Sequence, residues 1–225
     1  MIFCLSGAHR VGKTTLMREV VSQIGGEGTA LEMNLGAIQR ELGYDSRNQS
    51  YSFDERLKIQ EQLIERMDQI FAANRHKDTI CDRSPIDIAA YTLVHVTDEI
   101  TPVQSVRLKR LIQRCVEVAS DHVIGCLLIQ PGIPLVDDKA TSAKSAEGFI
   151  EHLNTLCFGL LNDERFKDVP MYYCPRESIT MEDRIKVCKN AVSRSMLRNM
   201  SNNRTFKKAD SSSKSEFYEM SNTKQ

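Results

Sequence analysis

Gly7-Ala8-His9-Arg10-Val11-Gly12-Lys13-Thr14-Thr15 is the stretch that decides how the rest of the chain is read. It matches the spacing G-x-x-x-x-G-K-[ST] in full, and its flanks are of the right kind. Before it stands the apolar run Ile2-Phe3-Cys4-Leu5, long enough for one buried strand. After it, Thr15-Leu16-Met17-Arg18-Glu19-Val20-Val21 places apolar residues at helical spacing. Strand, loop and helix in that order give the pattern a mechanism. Gly7 and Gly12 let the backbone bend so that successive N–H groups turn inward on a polyphosphate. Lys13 is expected to reach the β- and γ-phosphates, and the Thr14 hydroxyl to ligate Mg²⁺. Ala8, His9, Arg10, Val11 and Thr15 complete the cradle. His9 and Arg10 occupy variable positions that either touch phosphate or acceptor or face solvent. The motif implies binding of a nucleoside triphosphate, with ATP and Mg²⁺ as the expected cofactors.

The chain around this loop has 225 residues and 41% hydrophobic content, enough for one α/β domain with a sizeable core. Thirty Lys and Arg balance thirty Asp and Glu, so no global field draws the chain to nucleic acid or to an anionic membrane. No apolar stretch approaches the ~20 residues of a membrane span. The first strand follows Met1 almost directly, with no signal-peptide pattern. Seven cysteines, at 4, 81, 115, 126, 157, 174 and 188, are odd in number and show no C-x-x-C pair. Buried free thiols in a reducing compartment explain them better than disulfides or zinc, and a cytoplasmic location (host cytoplasm if the chain is viral) is expected. His95, His122 and His152 stand apart without metal-ligand spacing.

Five apolar segments read as strands, at about 2–6, 29–33, 78–82, 122–129 and 169–174, with helical patterns between them. Ser52-Phe53-Asp54-Glu55 is a capping box ahead of a long amphipathic helix. Thr101-Pro102 opens another with proline at its first position, and Thr180-Met181-Glu182-Asp183 starts a third that runs to about 199. Strands alternating with helices predict an α/β fold. The expected architecture is a P-loop three-layer sandwich, with a parallel five-stranded sheet and helices on both faces. Residues 201–225, rich in Ser, Asn and Lys, are expected to form a disordered polar tail.

A second motif follows the third strand: Asp82-Arg83-Ser84-Pro85-Ile86-Asp87, then Tyr91. Asp82 falls at the carboxyl end of a strand, where parallel sheets place their ligand crevice. There a carboxylate can hold Mg²⁺ through water or take a proton from an attacking hydroxyl. Arg83 offers a planar fork to a phosphate. Ser84 caps the next helix and Pro85 fits its first turn. The bland alternative is a capped helix start in which Asp82 and Arg83 pair with each other. Glu32, at the end of the second strand, is the rival general base. Asn34 or Gln39 could read a pyrimidine edge.

The phosphate loop followed by Asp82-Arg83-Ser84 resembles the nucleoside and nucleotide kinase group, which includes thymidylate and deoxynucleoside kinases, over most of residues 1–199. The resemblance implies one P-loop kinase domain over 1–200. It implies that the acid at Asp82 works at Mg²⁺ or as base, and that Arg83 holds the acceptor or its phosphate. Gly7 to Thr15, Asp82-Arg83-Ser84-Pro85-Ile86-Asp87-Ile88-Ala89-Ala90-Tyr91 and Glu151-His152-Leu153-Asn154 are similar to small kinases of tailed phages. Those enzymes phosphorylate 5-hydroxymethyldeoxyuridine inside DNA. Kinases of the wider group carry a lid after the fourth strand; residues 131–144 offer Lys139 and Lys144 there, without arginines. No N-K-x-D string supports a GTPase. The reading preferred on the sequence is a kinase acting on the 5-hydroxymethyl group of a base in DNA; the alternatives are a kinase of free nucleosides or nucleotides, and a P-loop ATPase that regulates without a small acceptor. Arg107, Arg110 and Arg114, with Lys109, form a basic stretch that a DNA backbone could follow. The alternative is a solvated helix face.

Overall fold

A computed structural model describes residues 1–24, 28–45, 50–96, 99–134 and 147–221, with side chains described as far as Ser201. The strands are β1 (Ile2–Ser6), β2 (Thr29–Leu31), β3 (Thr79–Cys81), β4 (Val123–Ile129) and β5 (Met171–Cys174). All neighbours pair in parallel, in the order β2-β3-β1-β4-β5. β1 is central and every one of its residues is buried, which is why it reads as an unbroken apolar run. The helices are α1 (Lys13–Ile24), α2 (Leu35–Glu41), α3 (Phe53–Asn74), α4 (Pro85–Leu93), α5 (Pro102–His122), α6 (Glu147–Leu161) and α7 (Met181–Ser221). α1 and α7 pack together on one face of the sheet, and α3 to α6 form the layer on the other. The expected three-layer α/β sandwich is the fold observed.

Local chemistry sets the helix starts. Ser52 and Glu55 form the anticipated capping box on α3, Thr101 and Gln104 do the same for α5, and Ser84 and Asp87 for α4. Proline stands in the first turn of both α4 and α5. α2 is not among the helices expected from the sequence; in its seven residues only Leu35 and Ile38 lean on the core, both half-buried, which is too short an apolar pattern to mark a helix. α7 passes the boundary expected near 199 and its backbone continues to Ser221. The polar segment 201–225 falls almost wholly on residues whose side chains lie outside the described set, as do Lys139 and Lys144.

α3 and α5 lie side by side and run parallel, joined by a ladder of ion pairs. Arg107 donates Nε and Nη2 to both oxygens of Glu61 at 3.1 and 2.8 Å and reaches Asp54 at 3.2 Å. Arg114 grips Glu65 at 2.7 and 3.0 Å and Asp68 at 2.6 Å. His122 lies 2.6 Å from Asp68. Two of the three arginines read as a DNA track therefore turn onto α3, because acids there recur at the same seven-residue spacing; Lys109 and Arg110 remain on the exposed face. All seven cysteines are free and buried. Among the described residues, no helix is long and apolar enough to cross a membrane.

The candidate phosphate-binding site

The loop between β1 and α1 is shaped by backbone that few residues tolerate. Gly7 adopts φ 133° and Gly12 φ 87°. A Cβ on Gly7 would fall 2.6 Å from the carbonyl oxygen of Ile129 at the end of β4, so no larger residue fits. Arg10 is the one described non-glycine residue with positive φ, at 64°.

Lys13 closes the loop on itself. Its Nζ donates to Gly7 O at 2.7 Å and Ala8 O at 2.6 Å, and the side chain is 5% exposed. Burial, and after it the nearby Arg83 cation, lowers its pKa to about 7. Among the described residues Lys13 has no ion-pair partner. Beside it the Thr14 hydroxyl donates to Asp82 Oδ2 at 2.5 Å, while Asp82 Oδ1 accepts the Met33 N–H at 2.8 Å. The two residues expected at Mg²⁺ thus touch, one from α1 and one from the end of β3.

Arg83 does not pair with Asp82. Its guanidinium carbon lies 5.7 Å from the Tyr91 ring centroid, and buried Nη1 has no hydrogen-bond partner among the described residues. The Tyr91 hydroxyl accepts the His9 N–H at 3.2 Å and lies 3.0 Å from His9 Nδ1. His9 also meets Phe149 of α6, with ring centroids 5.6 Å apart. His9, one of the two variable positions, is therefore half-buried against Tyr91 and Phe149, while Arg10 lies at the cavity beside the loop.

Glu32 follows β2 but is turned aside. It accepts Arg18 Nε at 2.6 Å in an exposed pair, and that hydrogen bond lowers its pKa. Asn34 is occupied in capping α2 through Ala37 N at 3.0 Å. A cavity of about 320 Å³ opens beside the loop, bounded by Arg10, Val11, Ile133, Ile150, Glu151 and Arg176. Arg176 and Glu151 face each other across its rim in a bidentate pair at 2.6 Å.

Sequence reading passed over two residues here. Arg184 of α7 reaches the Val11 carbonyl at 2.6 Å, a contact 173 positions away that no local pattern announces. Asp87 is the other. Fully buried, it accepts Ser6 Oγ and Gly7 N on Oδ1, both at 2.9 Å, and Ser84 N on Oδ2 at 2.9 Å. Ser84 is legible in the sequence as the cap of α4, but neither the reciprocal bond of Asp87 nor its hold on the phosphate loop is. Asp87→Ala would leave three buried donors without an acceptor, and a loss of about 3–5 kcal/mol is expected. Urea unfolding of the purified variant measures it; a loss under about 1 kcal/mol would show the carboxylate to be dispensable.

No curated protein matches the sequence. Solved structures share its fold. The NadR protein in complex with NAD and AMP-PNP is 16% identical with a TM-score of 0.55, covering 85% of this chain and 49% of that one. This chain thus spans about half the length of NadR. Thymidylate kinase from Candida albicans is 12% identical with a TM-score of 0.57, covering 87% and 92% of the two chains. Thymidylate kinase from Ehrlichia chaffeensis is 14% identical with a TM-score of 0.51, covering 84% and 97%. The five-stranded parallel sheet flanked by helices is the fold these P-loop thymidylate kinases share. Residues 2–147, which carry the phosphate loop, Asp82 and Asp87, match the AAA domain family, and the chain belongs to it.

Proposed function

We propose that this protein is an ATP-dependent phosphotransferase acting on a hydroxyl of a nucleoside-type acceptor. One observation carries the reading: a desolvated lysine, a hydroxyl and a carboxylate converge at the carboxyl ends of β1 and β3. Lys13, bonded among the described residues to two loop carbonyls, can swing its charge to a β–γ bridging position. Thr14 and Asp82 are hard oxygen donors suited to Mg²⁺, which when bound neutralises charge on the β- and γ-phosphates. Arg83, with its buried unpartnered Nη1, has an N–H available for an acceptor or for the transferred phosphoryl group. Asp82 or Glu32 takes the acceptor proton. The 320 Å³ cavity beside Arg10 and Val11 is of a size to receive the nucleoside end of ATP. Residues 1–200 form the catalytic domain in this reading, with 201–225 as an accessory polar segment.

For the acceptor, the geometry favours a free nucleoside or nucleotide. The narrower alternative, the 5-hydroxymethyl group of 5-hydroxymethyldeoxyuridine in phage DNA, leans on sequence resemblance. It must also do without Arg107 and Arg114, which are committed to Glu61, Glu65 and Asp68. Labelled ATP offered with nucleosides, nucleoside monophosphates and hydroxymethyluracil DNA tests both. Label is expected on a free nucleoside or monophosphate. Label on DNA alone, falling steeply with salt, would reinstate the DNA reading. ATP hydrolysis without label on any acceptor would point to a regulatory ATPase instead. Arg107→Ala and Arg114→Ala are expected to cost stability, about 1 kcal/mol each given their partial exposure, and to leave the acceptor profile unchanged.

A further inference from the structure

Arg184 lies in the first turn of α7, on the face of the sheet opposite Asp87, and its side chain is 1% exposed. Its Nε donates to Ser178 O and its Nη1 to Val11 O, both at 2.6 Å. Its Nη2 is buried without a hydrogen-bond partner among the described residues, and the guanidinium makes no ion pair there. Burial lowers its pKa from the ordinary arginine value. A buried, unpaired guanidinium is an expensive device, and a helix start does not require one.

The geometry of the peptide bond says what it accomplishes. The Val11–Gly12 peptide is trans, like every peptide among the described residues, so the carbonyl of Val11 and the N–H of Gly12 point in opposite directions across one planar unit. Arg184 draws the Val11 carbonyl toward α7, and the Gly12 N–H is thereby directed away from α7. Gly12, at φ 87° and with Arg184 Nη1 3.6 Å from where a Cβ would stand, has no side chain to fix that orientation itself. At the other end of the loop, Asp87 holds the Gly7 N–H. The loop is thus fastened at both ends, by an acid from one helical layer and a base from the other.

We propose that Arg184 is a positioning residue of the phosphate loop: by holding the Val11 carbonyl, it aims the Gly12 N–H at the bound polyphosphate. The inference rests on the reading of this loop as an ATP site. It also links the start of α7, and the loop after β5 that carries Ser178, to the phosphate-binding backbone.

The test compares Arg184→Lys and Arg184→Met with the native protein. Affinities for a fluorescent ATP analogue and for adenosine are measured by equilibrium titration, beside the thermal midpoint. Arg184→Met is expected to weaken ATP binding tenfold or more with adenosine affinity unchanged. Arg184→Lys, able to reach one of the two carbonyls, should recover part of the loss. In turnover, KM for ATP should rise more than kcat falls. A purely structural arginine would lower the midpoint and leave the ATP-to-adenosine affinity ratio alone, and that result overturns the proposal. Should neither variant fold, ¹⁵N-labelled native protein titrated with inorganic triphosphate decides. Arg184 Nε–H and Gly12 N–H resonances that move together support the proposal, and a Gly12 shift with Arg184 unmoved overturns it. If native protein binds neither ATP nor triphosphate, the ATP-site reading itself fails, an outcome distinct from a change confined to the variants.

Discussion

Lys13→Met is expected to reduce phosphoryl transfer by about 10²–10³-fold while the protein remains folded, because on the proposed reading it deletes the cation that would meet charge developing in the transition state. The fold should tolerate the change. The lysine is buried, and its pKa near 7 shows that the native state disfavours its charge. The sign follows directly. A lysine with an ordinary pKa of about 10.5 when unfolded binds its proton more tightly in the unfolded chain. Between about pH 7 and 10.5 the unfolded state therefore holds more protons, and native stability rises with pH through that window. Methionine removes this penalty, so the variant should gain most relative to native protein at neutral pH and lose its advantage above pH 10.5. A polyphosphate reverses the situation by restoring the lysine charge. ATP binding to native protein near pH 8.5 should then take up close to one proton. Calorimetry in buffers of different ionisation enthalpy reads that uptake, and Lys13→Met should abolish it. Native binding enthalpies independent of buffer, or a folded variant with near-normal turnover, would remove Lys13 from the site.

How much of this was legible in the chain follows from the range over which each signal acts. The five strands, the phosphate loop, the capping box at Ser52 and the proline-led helix starts after Ser84 and Thr101 are written in consecutive residues, and each appears within about two positions of where the sequence puts it. β4 and β5 begin one to two residues late, well inside the usual uncertainty of element ends. α2 escaped because its contact with the core rests on two half-buried residues, Leu35 and Ile38, too few to set a helical period. Contacts that couple distant elements left no local trace. Arg107, Arg110 and Arg114 share a helix face in sequence, but only the packing of α3 beside α5 reveals that two of them are committed to carboxylates. Asp87 stands in the second motif with no role read for it, and proves both to close the cap of α4 and to anchor Gly7, 80 positions earlier. Arg184 carries no motif at all. A buried cation in the first turn of a helix, where acids are favoured, is the one oddity that could have singled it out.

The choice between Asp82 and Glu32 as the working carboxylate should be decided by the second large effect. Asp82→Asn is expected to lower turnover by about 10²-fold or more, with ATP affinity changed less than about tenfold. Asparagine keeps an oxygen for the Met33 N–H but turns an NH₂ toward the Thr14 hydroxyl, which then faces a donor where it had an acceptor. The fold is thereby spared while charge is lost at the point where Thr14 and Asp82 meet. Glu32→Gln removes the charge from an exposed, solvent-screened pair with Arg18 and should leave turnover within a few-fold of normal. Glu32 could act as base only if Arg18 first released it, because the hydrogen bond that lowers its pKa also weakens it as a proton acceptor. Single-turnover rates with saturating ATP separate the outcomes, since they exclude product release. A larger loss in Glu32→Gln would transfer the role to Glu32 and require that Arg18 move in the acceptor complex. Neutral results in both would take the two carboxylates out of the chemistry and leave Arg83 and Lys13 to act by electrostatics alone.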